Sequence, residues 1–393
     1  MSAAAPSGSD VPAQVDTALA HIEPLAGGFP PGLPGRLLFW LAIAFSAFQI
    51  ATAAHLLDLP SQIVRAVHVG FLLSLAFPLL ALVRLHTGSG SRLGVALATL
   101  AALAAVMVAG YQWVEHDELL MRAGDPNDLD IWIGFLMLGL LFVGTWLAMG
   151  PALPLIAGSF LAYCLLGQYL PAPLNHRGYG VDQVIDHMAY GTEGIYGIPT
   201  YVSSTYIFLF ILFGAFLEKA GMIKLFTDVA LGLFGSRRGG PAKVAVFASG
   251  LMGTISGSGV ANVVTTGQFT IPLMIRFGYR RAFAGGVEAT ASMGGQIMPP
   301  VMGAVAFIMA ETLDVPYATV VQAAVIPALL YFTSAFWMVH LEAGRAGLVG
   351  IPKEECPDPW AAMRLRWYLI LPLAVLVWLL FSGYTPLFSG MVG

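Results

Sequence analysis

Residues 244–275 read VAVFASGLMGTISGSGVANVVTTGQFTIPLMI, a run of 32 residues between Lys243 and Arg276 without a single charge. As one straight helix it would extend about 48 Å, against about 30 Å of bilayer hydrocarbon. As two full crossings, each arm would reach only about 20 Å. Its middle, where Gly253, Gly257 and Gly259 are interleaved with Thr254, Ser256 and Ser258, is a poor helix and a good tight turn. Basic residues flank both ends. A helical hairpin that enters the membrane and leaves on the same side satisfies all four facts. A turn at membrane depth is tolerated only inside protein or beside a polar cavity. Two half-helices meeting there bring terminal dipoles, carbonyls and hydroxyls to one point. Oxygens of this kind are hard ligands, suited to a small hard cation. The bland alternative is a Gly/Ser packing seam between helices.

A second interruption follows in GGQIMPPVMGAVAF, residues 294–307. Pro299 has no N–H for the carbonyl of Gly295, and Pro300 none for that of Gln296, so two acceptors are expected to be freed. Beside the hairpin, this kink is read as the facing wall of one ion site, since two interrupted segments in tandem point to a secondary-transporter site.

The rest of the chain sets this pair in a membrane. The 393 residues are 58% hydrophobic and 10% charged, with 45 Gly and 25 Pro spread through apolar runs. Soluble domains carry roughly a quarter charged residues. A soluble enzyme, a disordered chain and a disulfide-stapled secreted domain are therefore excluded. Two cysteines, Cys164 and Cys356, make neither a disulfide framework nor a metal cluster. Apolar stretches suited to spans lie at 37–57, 65–85, 93–114, 131–149, 153–170, 200–220, 282–312, 317–341 and 367–384. With a cytoplasmic N-terminus and the hairpin returning to its own side, only Arg65, Arg122 and Arg177 of the 18 basic residues fall outside. Residues 1–35, with no basic residue before Arg36, are expected to be a disordered cytoplasmic tail rather than a secretory signal.

GTISGSGVANVVTTGQFTIPLM followed by GGVEATASMGGQIMPPVMGAVAFIMAE resembles the large membrane subunit of the tripartite ATP-independent periplasmic (TRAP) transporters. The closeness of MPPVMGA to MAE resembles the branch served by TAXI-type binding proteins, in which a small four-helix subunit is often fused ahead of the large one. The resemblance implies an all-α polytopic protein of the bacterial inner membrane. Residues 36–150 would be the four-helix small-subunit-like part. Residues 151–393 would be the first inverted-repeat half of an elevator-type transporter, with the re-entrant hairpin at 244–275 and the Pro-Pro broken helix at 282–312.

It further implies sodium-driven import of an organic acid delivered by a periplasmic TAXI-type solute-binding protein, with no organic cofactor. Carried onto this chain, the sodium ligands are Ser256 and Ser258 at the hairpin tip, then Gly295, Met298 and Pro300. Ser258, Asn262 and Thr266 are the expected substrate-facing residues. The family has a second repeat with its own hairpin, which is not found here, so the missing second half of the large subunit is an expected partner, alongside membrane lipid. A transport-incompetent scaffold is a further alternative.

Glu288, about two turns inside a membrane helix, is either a coupling carboxylate or, as preferred, a group at the cytoplasmic mouth beside Arg280 and Arg281. His55, His68, His86 and His116 raise a haem or quinone redox-anchor alternative, but haem needs axial ligands at matching depth and most of these lie at predicted span ends, so interfacial solvation is the default. Residues 171–199 are an external segment, either meeting a periplasmic partner or lying on the membrane. Residues 221–238 are an amphipathic arm. Phosphate-loop, HExxH and GxSxG motifs are absent, and so is any nucleic-acid footprint.

Overall fold

The computed structural model describes residues 29–86, 88 and 90–393. Most of the tail expected over residues 1–35 thus lies outside the described residues, and from Leu33 the chain is already helical. The described residues are all helix, turn and coil. Seven of their helices are long and apolar enough to cross a membrane. The chain forms two compact units, divided between Ser204 and Thr205.

The first unit is built on α1 (Leu33–Ala53), α2 (Ser61–His86), α3 (Arg92–Val114), α4 (Asp128–Met149) and α5 (Ala152–Leu166). Helices α2 and α3 meet over small residues: a Cβ on Gly70 would stand 2.6 Å from the Cβ of Ala109. Such seams allow the close backbone approach that substitutes for a hydrophobic driving force in lipid. Around it lie Val69, Leu73, Phe77, Val108 and Met137, all buried. Helix α4 starts on a capping box, with Asn127 Oδ1 accepting from the Asp130 amide at 2.8 Å and Asp130 Oδ2 accepting from the Asn127 amide at 2.9 Å.

Asp130 is fully buried and also accepts from Tyr111 Oη at 2.5 Å and from Arg122 at 3.0 and 3.1 Å. This bond and the charge of Asp130 hold the Arg122 guanidinium more firmly protonated than usual.

One expectation for this unit changes. His68 is not interfacial: it is buried in α2, with one ring nitrogen on Gln49 and the other 3.0 Å from Ser203 Oγ. Both nitrogens are engaged, which leaves neither for an axial iron. Part of the external segment, residues 181–190, packs within the unit. Residues 181–190 form a short helix and a π-helical turn that dock on α4, where Ile185, Ala189 and Tyr190 are buried. Gln112 and Gln62 donate to the carbonyls of Ala189 and Tyr190 at 3.1 and 2.7 Å. A Cβ on Gly134 would lie 2.4 Å from Ile185 Cγ2. Gly134→Val is therefore expected to lift this segment, at an overpacking cost of about 1–3 kcal/mol. Tryptic cleavage after Arg177 should then run about tenfold faster, with helical content unchanged.

The second unit runs through α6 (Phe208–Ala220), α7 (Met222–Phe234), α8 (Gly240–Ser256), α9 (Gly259–Arg276), α10 (Arg281–Gly294), α11 (Ala304–Thr312), α12 (Tyr317–Arg345), α13 (Ile370–Phe381) and α14 (Pro386–Val392). Helix α7 is amphipathic as expected: Met222, Leu225, Phe226, Val229 and Ala230 form its buried face. Ala230 packs with Val244 and Ala248 of α8. The expected span over 282–312 is broken into α10 and α11, and α13 follows a 64° bend rather than continuing a straight segment.

Candidate functional site

The uncharged stretch folds as two helices, α8 and α9, joined by two residues. Gly257 ends α8 with φ +60°, the left-handed conformation that glycine adopts without a Cβ penalty. Ser258 is extended and caps α9, its Oγ accepting from the Ala261 amide at 3.3 Å. The arms are longer than the uncharged run allowed. Helix α8 starts at Gly240 with Pro241 in its first turn, so Lys243 lies inside the helix rather than flanking it. Its Nζ is accommodated 3.0 Å from His340 Nδ1 of α12. At 17 and 18 residues, each arm is about 26 Å long.

The Pro-Pro break folds over the hairpin tip. A Cβ on Gly253 would stand 2.3 Å from Gly295 Cα, and one on Gly257 would stand 2.0 Å from the Met302 carbonyl oxygen. Backbone meets backbone at both points, and only glycine permits it. The structure thus brings the hairpin tip and Gly295 together, as the sequence predicts. Ser256 Oγ is buried there and has no hydrogen-bond partner. A buried hydroxyl left unbonded is costly.

The two carbonyls expected to be freed both have partners. Gly295 O accepts from the Met298 amide at 3.1 Å, and Gln296 O accepts from the Gly303 amide at 2.7 Å. The prolines remove the α-helical donors, but the chain turns back over the break and supplies other N–H groups. The carbonyl of Pro300 also has a partner: Tyr317 Oη donates between Pro300 O at 3.0 Å and Val301 O at 2.5 Å. Each carbonyl keeps a second lone pair. Met298 borders an apolar cavity of about 340 Å³, with Phe247, Gly250, Leu251, Phe332 and Phe336 among its walls.

Asn262 and Thr266, expected to face substrate, are buried in the seam between the arms. Asn262 Nδ2 donates to Ser249 O at 2.8 Å, and Thr266 Oγ1 lies 2.7 Å from Asn262 O and 3.1 Å from Ser249 Oγ. Ser258 alone of the three sits at the partly exposed tip.

Glu288 lies elsewhere than the sequence suggests. It is not at a mouth beside Arg280 and Arg281 but fully buried on α10. Its Oε1 accepts from Ser249 at 2.8 Å, Thr266 at 2.5 Å and Ser292 at 3.0 Å, and its Oε2 from Thr270. The signal was present in the spacing. Asn262, Thr266 and Thr270 recur every four residues on α9, and Glu288 and Ser292 do so on α10, so each set lies on one helix face.

Comparison with known proteins places this architecture. Residues 135–393 match the family profile described as the tripartite ATP-independent periplasmic transporter, DctM component. The C4-dicarboxylate TRAP transporter large permease protein DctM of Pseudomonas aeruginosa is 30% identical over 179 residues, 45% of this chain and 41% of that protein. The 2,3-diketo-L-gulonate TRAP transporter large permease protein YiaN of Escherichia coli is 24% identical over 184 residues, 47% of this chain and 43% of the relative. The sialic acid TRAP transporter large permease protein SiaM of Vibrio cholerae is 26% identical over 178 residues, 45% of this chain and 41% of the relative. The matches therefore cover about two fifths of the relatives' own length. With a helical hairpin packed on a Pro-Pro break, in a chain of multiple apolar helices matched by that profile over most of its length, the protein belongs to the DctM-component family of TRAP transporter permeases.

Proposed function

We propose that this chain is a membrane component of a sodium-coupled secondary transporter, importing a carboxylated organic anion handed over by a periplasmic solute-binding protein. The observation that carries the reading is the unpartnered Ser256 hydroxyl, buried where the hairpin tip meets the Pro-Pro break. Sodium is held there by Ser256 and Ser258, with Gly295, Met298 and Pro300 contributing backbone oxygen; the second lone pair of each carbonyl is what the ion uses. Asn262 and Thr266 stiffen the seam behind Ser258, which faces the solute.

Named relatives carry a dicarboxylate, a sialic acid or a diketogulonate, all organic anions, and this supports a carboxylate as cargo. In the proposed arrangement the hairpin is re-entrant from the cytoplasmic side, the amino terminus is cytoplasmic in the inner membrane, and transport is an elevator movement of the hairpin-bearing part. Residues 36–150 act as the small-subunit-like part, the binding protein is of TAXI type, and the remaining portion of a large permease completes the transport unit.

Sodium binding is measurable on the purified chain. Replacing choline chloride by sodium chloride should raise its melting temperature by a few degrees, because an ion bound only by the folded state stabilises it. Ser256→Ala and Ser258→Ala should each abolish that rise, and in cells each should remove sodium-dependent uptake while expression persists. Ser258→Ala should in addition lower the melting temperature without sodium, since a lost helix cap costs about 1 kcal/mol. A sodium response unchanged in both variants would end the assignment.

A further inference from the structure

Burying a carboxylate without a cation is expensive, and groups so placed are paired, neutralised or functional. Glu288 is fully buried, and none of the ion pairs among the described residues includes it. The charged groups on the surrounding elements are engaged elsewhere or stand at helix ends. Lys243 of α8 meets His340 of α12. Arg276, closing α9, pairs with Glu355, and Glu342 with Arg345 at the end of α12. Arg280 and Arg281 stand at the start of α10. What faces the carboxyl instead is Ser249 from α8, Thr266 and Thr270 from α9, and Ser292 one turn along α10.

Two features of this ring decide what it can hold. The first is space. A Cβ on Gly267 would stand 3.2 Å from Glu288 Cγ, and the hydroxyl oxygens on Oε1 are already at 2.5–3.0 Å. A metal ion would have to push these oxygens apart, whereas a proton adds no volume.

The second is reversibility. Thr270 Oγ1 reaches Glu288 Oε2 but is also 3.1 Å from the Thr266 carbonyl. Thr266 Oγ1 likewise has the Asn262 carbonyl at 2.7 Å as an alternative to Oε1. With the carboxylate ionised, Thr270 donates to Oε2. With a proton on Oε2, that O–H donates to Thr270 Oγ1, and the threonine hydrogen turns to the Thr266 carbonyl. One hydroxyl rotation therefore satisfies both forms, with no hydrogen bond lost and no heavy atom displaced.

We propose that Glu288 is a proton-binding site at the crossing of α8, α9 and α10, taking up a proton in one state of the protein and releasing it to water in another, with Thr270 reversing its hydrogen bond. Glu288 carries the proton, and Thr270 is a positioning residue. If the transport reading is right, this is a second coupling ion beside sodium; the proton site itself is tested without transport.

The test is infrared difference spectroscopy on the purified full chain in detergent, between acidic and alkaline buffer, in water and in deuterium oxide. The expected result is a sharp C=O stretch of a buried carboxylic acid that shifts on deuteration and is missing in Glu288→Gln. The glutamine keeps the shape and most of the hydrogen bonds, so a merely structural glutamate would change melting but remove no such band. Absence of the band in the wild type, or its persistence in Glu288→Gln, overturns the proposal. Should Glu288→Gln fail to fold, Thr270→Val serves instead. It deprives the protonated acid of its acceptor and should move the band to higher frequency, and an unmoved band overturns the proposal as well. Sodium binding at Ser256 is read by melting and stands or falls separately.

Discussion

Gly257→Ala is expected to destabilise the chain by about 3–5 kcal/mol, far more than Gly347→Ala, although both glycines have nearly the same backbone. Their φ values are +60° and +65°, so each alanine incurs the same left-handed penalty of about 1–2 kcal/mol. Their surroundings differ. A Cβ at Gly347 meets nothing within 4 Å, whereas one at Gly257 stands 2.0 Å from the carbonyl oxygen of Met302. Backbone is the obstacle there, and no side-chain rotation relieves it. Either the tip withdraws from the loop or the loop unfolds, and both separate Ser256 from the carbonyls beyond Gly295. The melting-temperature difference between the two variants isolates the clash from the torsional penalty. The sodium response should vanish in Gly257→Ala and survive in Gly347→Ala. Equal melting temperatures would mean that the hairpin tip does not touch the loop.

Asp130→Ala is the second large loss expected, about 3 kcal/mol, and it falls in the other unit. Removing one partner of a buried ion pair leaves the other without compensation. Here the carboxylate also closes the capping box of α4 and accepts from Tyr111. Arg122 is about one quarter exposed and keeps Glu115 and Glu118 nearby, which holds the cost at the lower end of the usual range. Asp130→Asn should lose less, because its amide oxygen still accepts. The double variant Asp130→Ala with Arg122→Ala should be clearly less destabilised than the sum of the singles, measured by denaturant-induced melting. Strict additivity would show that the pair does not interact.

The hairpin and the broken helix were legible because their causes are local. Gly257 and Ser258 are a helix terminator and a helix cap side by side, and Pro299 and Pro300 remove two donors wherever they fall. What the sequence hid depends on packing between segments distant in the chain. The carbonyls before the prolines find N–H groups only because residues 298–303 fold back. Lys243 could be counted as a flank, since nothing local reveals that His340, 97 positions on, receives it. Glu288 follows two arginines by about two turns of helix, which points to a mouth. The i, i+4 hydroxyls that enclose it could have been read from their spacing, but not that they converge. His68 likewise differs from the other histidines only through Gln49 and Ser203.

The contact of Gly253 with Gly295 has a mechanical consequence. With no side chain on either partner, there is no rotamer to yield, so main chain meets main chain and the hairpin arm cannot be pressed any closer to the broken helix. The contact is therefore incompressible, and an ion held beside it would be released by opening the mouth around it, not by squeezing the two segments together.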